Sequence, residues 1–430
     1  MAQHDSKAAP DAGLLRSGAG IAIVMGWNRL VLLLLSVVLA RFLGASGVGV
    51  YALAFSVLGV LTLVAELGFP VLVEREIAAA GISARWSLVR GLLNLVLSAQ
   101  IVAGVALALV VIVATRPLQH SDIWLLVALM IPCMSLFRVG CHTLSGLHRV
   151  FLARLLEHGI RPTLVLVVVA ALFWTNAAYQ TPAMALLVQF VVLVAVLLGV
   201  VVVLRRVLPS ELSQARPVYT PGPWLKSGAT LAFGLGAVTV NTQFDILVLS
   251  AFYPMSEVGL YRMAVQGSSL VGFGMVVAGM WLTPQFAKLW AEKNMTSLQL
   301  LVTRTTRGIA LTALSGALVL GLFGRELLEL LFGIEFIASY QPMVLLLFTH
   351  VIAGLVGAVG PLLNMTGHEA VGARAIGAGA VVNLILNLIL VPQFGMMGAA
   401  SATLVAAVVW CSLISIGIFR HTGVRPTVLG

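Results

Sequence analysis

The chain has 430 residues, of which 60% are hydrophobic and only 9% charged, with a formal net charge of +10 and a mean hydropathy of +1.08. A soluble protein needs about 25% charged residues to cover its surface, so most of this surface must face hydrocarbon, and a soluble enzyme is excluded. The positive charge reads as basic loops of a multi-pass membrane protein, not as a nucleic-acid face; Cys133, Cys141 and Cys411, without C-x-x-C spacing, argue against disulfides and metal sites.

Residues 1–13 are polar and lack the order of a cleaved signal peptide; the apolar stretch at 18–43 is too long for a signal core and is expected to stay as a span. At about 20 apolar residues per crossing, twelve spans fit. They fall at 18–43, 48–72, 91–115, 123–146, 160–176, 183–204, 227–252, 257–283, 308–323, 340–364, 374–392 and 397–419. Of the 25 Lys and Arg, nineteen lie in loops on the side of the N-terminus, among them Lys7, Arg16, Arg75, Arg154 and Arg161. Three, Arg41, Arg116 and Arg325, lie on the other side, and Arg29, Arg138 and Arg262 lie within spans. That asymmetry predicts that both termini are cytoplasmic. The Pro-rich loop at 207–226 reads as a linker between bundles at 1–206 and 227–430. Residues 324–339, with Glu326, Glu329 and Glu335, read as a short interfacial helix.

The second half repeats the first. A shift of 210 lays Phe252, Ser256, Val258, Gly259, Tyr261 and Ala264 on Phe42, Ser46, Val48, Gly49, Tyr51 and Ala54. With an even number of spans in each half, the halves are expected to be parallel repeats about an axis along the membrane normal. The predicted fold is therefore an all-α integral membrane protein of about twelve helices, in two pseudo-symmetric six-helix bundles around a central cavity.

Charges inside a bilayer cost about 2.5–3.5 kcal/mol each on insertion scales and need a partner or a wet cavity. Arg29 is twelve residues from Arg41 and thirteen from Arg16, which places it about 18 Å from either, near the midplane. Asp245 and Arg262 stand on the two limbs of one hairpin and could pair. Ser135, Arg138, His142 and Ser145 share one helical face, as do Arg262, Gln266 and Ser269; Asn241 with Asp245, and Asn383 with Asn387, are i, i+4 pairs. Four polar stripes suggest an aqueous interior, although the asparagines also suit interhelical hydrogen bonds. Glu66 is expected to snorkel or to pair with Arg75. Three arginines against one aspartate make the cavity cationic, which favours an anionic solute because guanidinium forks match phosphate oxygens. His120 and Asp122 offer no nucleophile–base pair, and without a P-loop there is no built-in ATP site. No enzymatic site or cofactor is expected.

Leu39 to Ala78 (LARFLGASGVGVYALAFSVLGVLTLVAELGFPVLVEREIA) resembles the opening of the polysaccharide-transport family, the O-antigen (Wzx-type) flippases. That family belongs to a larger group with multidrug and lipid II exporters. Phe244 to Ala264 is similar to the family's seventh and eighth helices, and Asn383 to Thr403 to its last hairpin. The resemblance implies a V-shaped pair of bundles working by alternating access on an isoprenoid-pyrophosphate-linked oligosaccharide in the bacterial inner membrane. It implies lipids as partners, with a polysaccharide polymerase and a chain-length regulator alongside. Arg29, Arg138, Arg262, Asn241 and Gln266 would then contact the substrate, and Asp245 would gate the arginines or couple transport to an ion. Multidrug members usually carry an acid in the first span, where this chain has Arg29; lipid II exporters have two more spans than fit here. An ion-coupled drug or metabolite antiporter of the same fold is the alternative; a membrane-embedded polymerase would need a long loop with clustered acids or histidines.

Overall fold

The structure, a computed structural model, describes residues 12–83, 85–115 and 121–429, and the side chains of all of these except residues 12–19, 81–83, 213, 273, 276, 277 and 280. Lys7, Arg116, His120 and most of the polar stretch 1–13 lie outside the described residues. The helices are α1 (Ala12–Glu66), α2 (Phe69–Ser83), α3 (Trp86–Thr115), α4 (Ser121–Gly146), α5 (Val150–Arg154), α6 (Arg161–Thr175) and α7 (Pro182–Val207). They continue as α8 (Ser210–Gln214), α9 (Pro221–Phe252), α10 (Met255–Ala291), α11 (Met295–Phe332), α12 (Tyr340–Val356), α13 (Val359–Met365) and α14 (Glu369–Thr422).

Nine segments of the described chain are long and apolar enough to cross a bilayer. Two of these, α1 and α14, each contain two crossings, because they break at Gly44 (φ 65°, ψ −179°) and at Gly395 (φ 56°, ψ −133°). These are conformations that only glycine adopts without strain. Counting the 37-residue α10 as well brings the crossings to the predicted twelve. The outward surface is apolar, with Val102, Val113 and Leu318 each at least 60% exposed, as expected for side chains solvated by lipid. The chain is a multi-pass membrane protein.

Several predicted limits move. The fifth span begins at Val150, not 160: α5, a π-helical turn at Leu155–Ile160 and α6 run on as one 26-residue helix. Pro162 looks like a helix start in the sequence; the wide turn before it takes the carbonyl away from the proline ring, so the helix passes through. The ninth span is the 38-residue α11, which absorbs most of the predicted interfacial helix. Gly333 (φ 110°) then turns the chain into a 3₁₀ segment, Ile334–Ser339, from which the exposed Glu335 reaches the backbone of α1.

Two contacts join the halves at the face opposite the termini. Gly49 and Gly259 meet backbone to backbone: a Cβ on Gly49 would lie 1.8 Å from the Met255 carbonyl oxygen, and one on Gly259 would lie 1.9 Å from that of Ala45. Under the shift of 210 each contact is the image of the other, the reciprocity of a two-fold interface. Beside it, Arg41 donates to the carbonyls of Glu329 (3.4 Å), Leu330 and Leu331 (3.1 Å), capping the end of α11, while the Glu335 carboxylate accepts from the Ala45 amide (3.1 Å). A guanidinium at a helix C-terminus satisfies orphan carbonyls and opposes the dipole. Arg41→Ala is therefore expected to destabilise the protein by about 1 kcal/mol, read as a lower Tm in detergent; an unchanged Tm would mean the cap carries no load.

Nearer the termini, Ser56 donates to the Gln243 side-chain oxygen (2.9 Å) and Gly68 packs on α9, where a Cβ would lie 2.4 Å from the Gly228 carbonyl oxygen.

Candidate functional site

Between the two limbs of α1 and helices α6, α7 and α10 lies a cavity of about 130 Å³. Its polar lining is Ser36, Tyr51, Arg161, Gln189, Arg262 and Gln266, and no carboxylate is among the residues that line it. Gln189 donates to the Tyr51 hydroxyl (2.9 Å), and the Tyr51 ring stacks at 4.8 Å on Phe55. Arg161 is anchored by soft contacts rather than by an acid: one terminal nitrogen reaches the Met134 sulfur (3.3 Å), the guanidinium lies 5.6 Å from the Phe137 ring centre, and its Nε is buried with no acceptor. Neither Arg161 nor Arg262 takes part in an ion pair among the described residues. Two guanidinium groups facing one void without a counter-ion are costly unless an anion visits.

Of the residues predicted to bind substrate, Arg262 and Gln266 are in this cavity. Arg29 and Asn241 are not among its lining residues: Arg29 is exposed on α1 and Asn241 half-buried on α9. Arg138 is elsewhere too, ion-paired at 3.3 Å with Glu66. Glu66 is buried, not snorkelling, and Arg75 pairs with its neighbour Glu76 (3.1 Å). Arg161, assigned to a basic loop by sequence, is instead eleven residues into its helix, about 16 Å deep. The signal was there in the i, i+3/i+4 series Arg154, Glu157, His158 and Arg161, which keeps charge on one side of a helix through the π turn.

The predicted pairing of Asp245 with Arg262 does not occur. Asp245 is buried in the C-terminal half and accepts from Tyr261 (2.7 Å), Thr403 (2.7 Å) and the Asn387 amide (2.8 Å). Asn387 also donates to the Asn383 side-chain oxygen (3.1 Å), and Asn383 to Thr403 (3.4 Å). The reason is helical geometry. Tyr261 and Arg262 are adjacent and project about 100° apart, so when the tyrosine faces Asp245 the arginine must face the N-terminal half. Asn383 and Asn387 accordingly join helices within this network and do not line water. The Asn387 side-chain oxygen is left buried without a donor, so the network is rich in oxygen acceptors around one carboxylate. Among the described residues no three His, Cys, Asp or Glu side chains cluster as a metal site.

Here the pseudo-symmetry shows its break. Tyr51 and Tyr261 correspond under the shift of 210, and each binds the last helix of its own half, through Gln189 and, by way of Asp245, through Thr403. Asp245 itself corresponds to Leu35. Each half presents one uncompensated cation to the cavity, Arg161 and Arg262, but only the C-terminal half holds a sealed acid.

Comparisons with known proteins agree with this architecture. The solved lipid II flippase MurJ in an inward closed conformation superposes with a TM-score of 0.72 at 13% identity, covering 93% of this chain and 87% of that one. An inward-facing multidrug resistance MATE family transporter gives 0.71 at 15% identity, covering 94% and 97%; identities this low show the fold alone. Among curated sequences, a probable low-salt glycan biosynthesis flippase, Agl15 of Haloferax volcanii, is 25% identical over 160 residues, 37% of this chain and 34% of that protein. An uncharacterized membrane protein of Methanocaldococcus jannaschii, MJ1068, is 22% identical over 177 residues, 41% and 35% of the two chains. The matched part thus spans about a third of either relative's length. Residues 14–290 match the model of the family described as Polysaccharide biosynthesis protein, well over half of the chain, and the protein belongs to that family.

Proposed function

We propose that the protein is a flippase that carries an isoprenoid-pyrophosphate-linked oligosaccharide from the cytoplasmic to the outer face of a bacterial inner membrane, for surface polysaccharide biosynthesis such as O-antigen of lipopolysaccharide. Both termini are cytoplasmic in this reading, and residues 1–206 and 227–430 rock as two units by alternating access. The supporting observation is the carboxylate-free cavity that sets Arg161 beside Arg262, one from each half. A pyrophosphate placed between them neutralises both groups with bidentate hydrogen bonds. Because the arginines come from different halves, they hold the anion only while the halves are together, so its binding is tied to their relative position. Outside the cavity, Arg138 binds the phosphate on the substrate's path, and Arg29 and Asn241 serve the larger glycan. The Asp245 network couples the cycle to an ion, and no enzymatic step is involved. A polysaccharide polymerase and a chain-length regulator take the product on.

The alternative, a drug or metabolite antiporter, calls for an acid in the cavity to receive a cationic drug. Asp245 is instead closed off behind Tyr261.

In a strain lacking its own flippase, Arg161→Gln and Arg262→Gln are each expected to reduce surface polysaccharide at least tenfold. Loss of one charge-assisted pair is worth about 1.5–3 kcal/mol, and lipid-linked repeat units should accumulate on the cytoplasmic leaflet while the protein still inserts. Wild-type levels in both variants would refute the anion-site reading. Export of organic cations by the parent protein, with no effect on polysaccharide, would favour the antiporter.

A further inference from the structure

The second limb of α1 ends at Glu66, and the two residues that follow, Leu67 (φ 48°) and Gly68 (φ 72°), are left-handed before α2 starts at Phe69. A leucine in that region is uncommon, so the break is held by its surroundings. Part of what holds it is the other half of the molecule. A Cβ on Gly68 would lie 2.4 Å from the Gly228 carbonyl oxygen and 2.6 Å from the Ala232 nitrogen, and one on Gly228 would lie 2.9 Å from the Leu67 carbonyl oxygen. The break in the helix is itself the contact between the halves at this level.

Two side-chain contacts to α4, one of them an ion pair, bracket it. Glu66, just before the break, meets Arg138 at 3.3 Å; Glu74, beyond it, meets His142 at 2.6 Å, one turn further along α4. The first pair is incomplete. It has a single contact, while the other Glu66 oxygen and the Arg138 Nε are buried without partners. It is also lopsided in access, since the Arg138 side chain is 37% exposed and that of Glu66 only 4%. The next acid on the neighbouring helix, Glu157, is already engaged by Arg154 (3.2 Å) and His158 (3.5 Å) and is not there to replace Glu66.

We propose that Glu66 is a built-in competitor of the substrate's phosphate for Arg138, and that losing Arg138 frees the break at Leu67–Gly68, loosening the contact with α9. The inference rests on the reading of Arg138 as a phosphate-binding residue. An arriving phosphate offers the guanidinium two oxygens where Glu66 offers one. The carboxylate left behind is buried without a counter-charge and must take up a proton or move toward water; either way its tie to α4 is gone. The limb that carries it is then free to shift, and the residues next to it are those that touch the other half. Substrate binding thereby changes the balance between closed and open contacts, which it can do only through such a difference in interactions.

The test uses the full chain in lipid nanodiscs, with Cys133, Cys141 and Cys411 replaced by alanine and spin labels on cysteines at Arg75 and Lys226, both exposed. The probe is geranylgeranyl pyrophosphate, whose binding is measured separately by equilibrium dialysis. In the parent, the probe should add a longer-distance population between the labels. Glu66→Gln should show that population without probe and bind the probe severalfold more tightly, because its competitor is gone. Gly68→Ala, whose methyl collides with Gly228, marks the distance of the opened contact. Should Glu66→Gln fail to insert, Arg138→Gln serves: it should also open the contact, with weaker probe binding. Parent distances and parent affinity in Glu66→Gln, or in Arg138→Gln a closed contact, would overturn the proposal. If the parent does not bind the probe while Glu66→Gln still opens the contact, the hinge stands and the pyrophosphate reading falls. If the parent binds the probe and no variant changes the distance, the hinge falls and the pyrophosphate reading stands.

Discussion

Alanine at Gly49, or at Gly259, is expected to hold the halves apart at the face opposite the termini and to cut transport at least about fivefold. The added methyl would sit 1.8 or 1.9 Å from a carbonyl oxygen of the facing helix. Carbon and oxygen pack at more than 3 Å, so the helices must separate by over an ångström. Overpacking of this kind costs about 1–3 kcal/mol, a factor of about 5 to 150 in the population of the closed state. The neighbouring tie between Glu335 and the Ala45 amide sits on the same stretch of backbone and would lengthen with it. The measurement is labelling of a cysteine at Ala52, buried and lining the cavity, by a membrane-impermeant maleimide added at that face. It should be slow in the parent and fast in either variant. Because the two contacts are images of one another, the first methyl already creates the space that the second needs. The double variant is therefore expected to cost clearly less than the sum of the single ones. Strict additivity would show two independent contacts, and unchanged labelling in both single variants would show that this face does not close on its glycines.

Nothing in sequence could mark that contact as a contact. The repeat itself was legible, since V-G-x-Y and the serine before it recur in register, and so were the spans, because lipid demands long apolar helices and leaves few other solutions. What a glycine does at an interface depends on what faces it, and a residue without a side chain carries no pattern. Arg161 is obscured for a different reason: Pro162 imitates a helix start and outweighs the charged series Arg154, Glu157, His158 and Arg161, while the π turn at Leu155–Ile160 lets the helix run through the proline. Glu66 and Asp245 are both legible as acids within or beside spans, but their partners are not. The nearest arginines in sequence, Arg75 and Arg262, do not meet them; the partners are Arg138 for Glu66, and a tyrosine, a threonine and an asparagine for Asp245, all from other helices. Charge balance along the chain predicts that a buried acid will be satisfied; only the packing decides by whom.

Asp245→Ala is expected to abolish uphill transport while leaving probe binding in the cavity within about twofold, since neither the acid nor its partner Tyr261 is among the residues that line the cavity. Removing the carboxylate strands the Tyr261 and Thr403 hydroxyls that donate to it, while the Asn387 amide keeps its two Asn383 acceptors. Each buried donor left alone costs about 1–3 kcal/mol in water-soluble proteins, and less where membrane helices find other partners. A net loss of about 2 kcal/mol of stability is a reasonable expectation, read as a lower Tm in detergent. Asp245→Asn separates charge from shape. It has one acceptor where the carboxylate has two, and it turns an NH₂ group toward donors, so it should lose ion coupling as completely as alanine and recover little stability. Asp245→Glu restores the charge one methylene too far along and should recover coupling only in part. The decisive measurement sets downhill exchange of a labelled lipid-linked substrate against its gradient-driven accumulation in proteoliposomes, over a range of proton and sodium gradients. Coupling through this network requires exchange to survive in Asp245→Asn while accumulation fails under every gradient. The corresponding position in the other half is Leu35, so the two-fold repeat supplies no second acid there to take over. Accumulation by Asp245→Asn at the parent rate would leave the buried carboxylate with a structural role alone, and the coupling ion would have to act elsewhere.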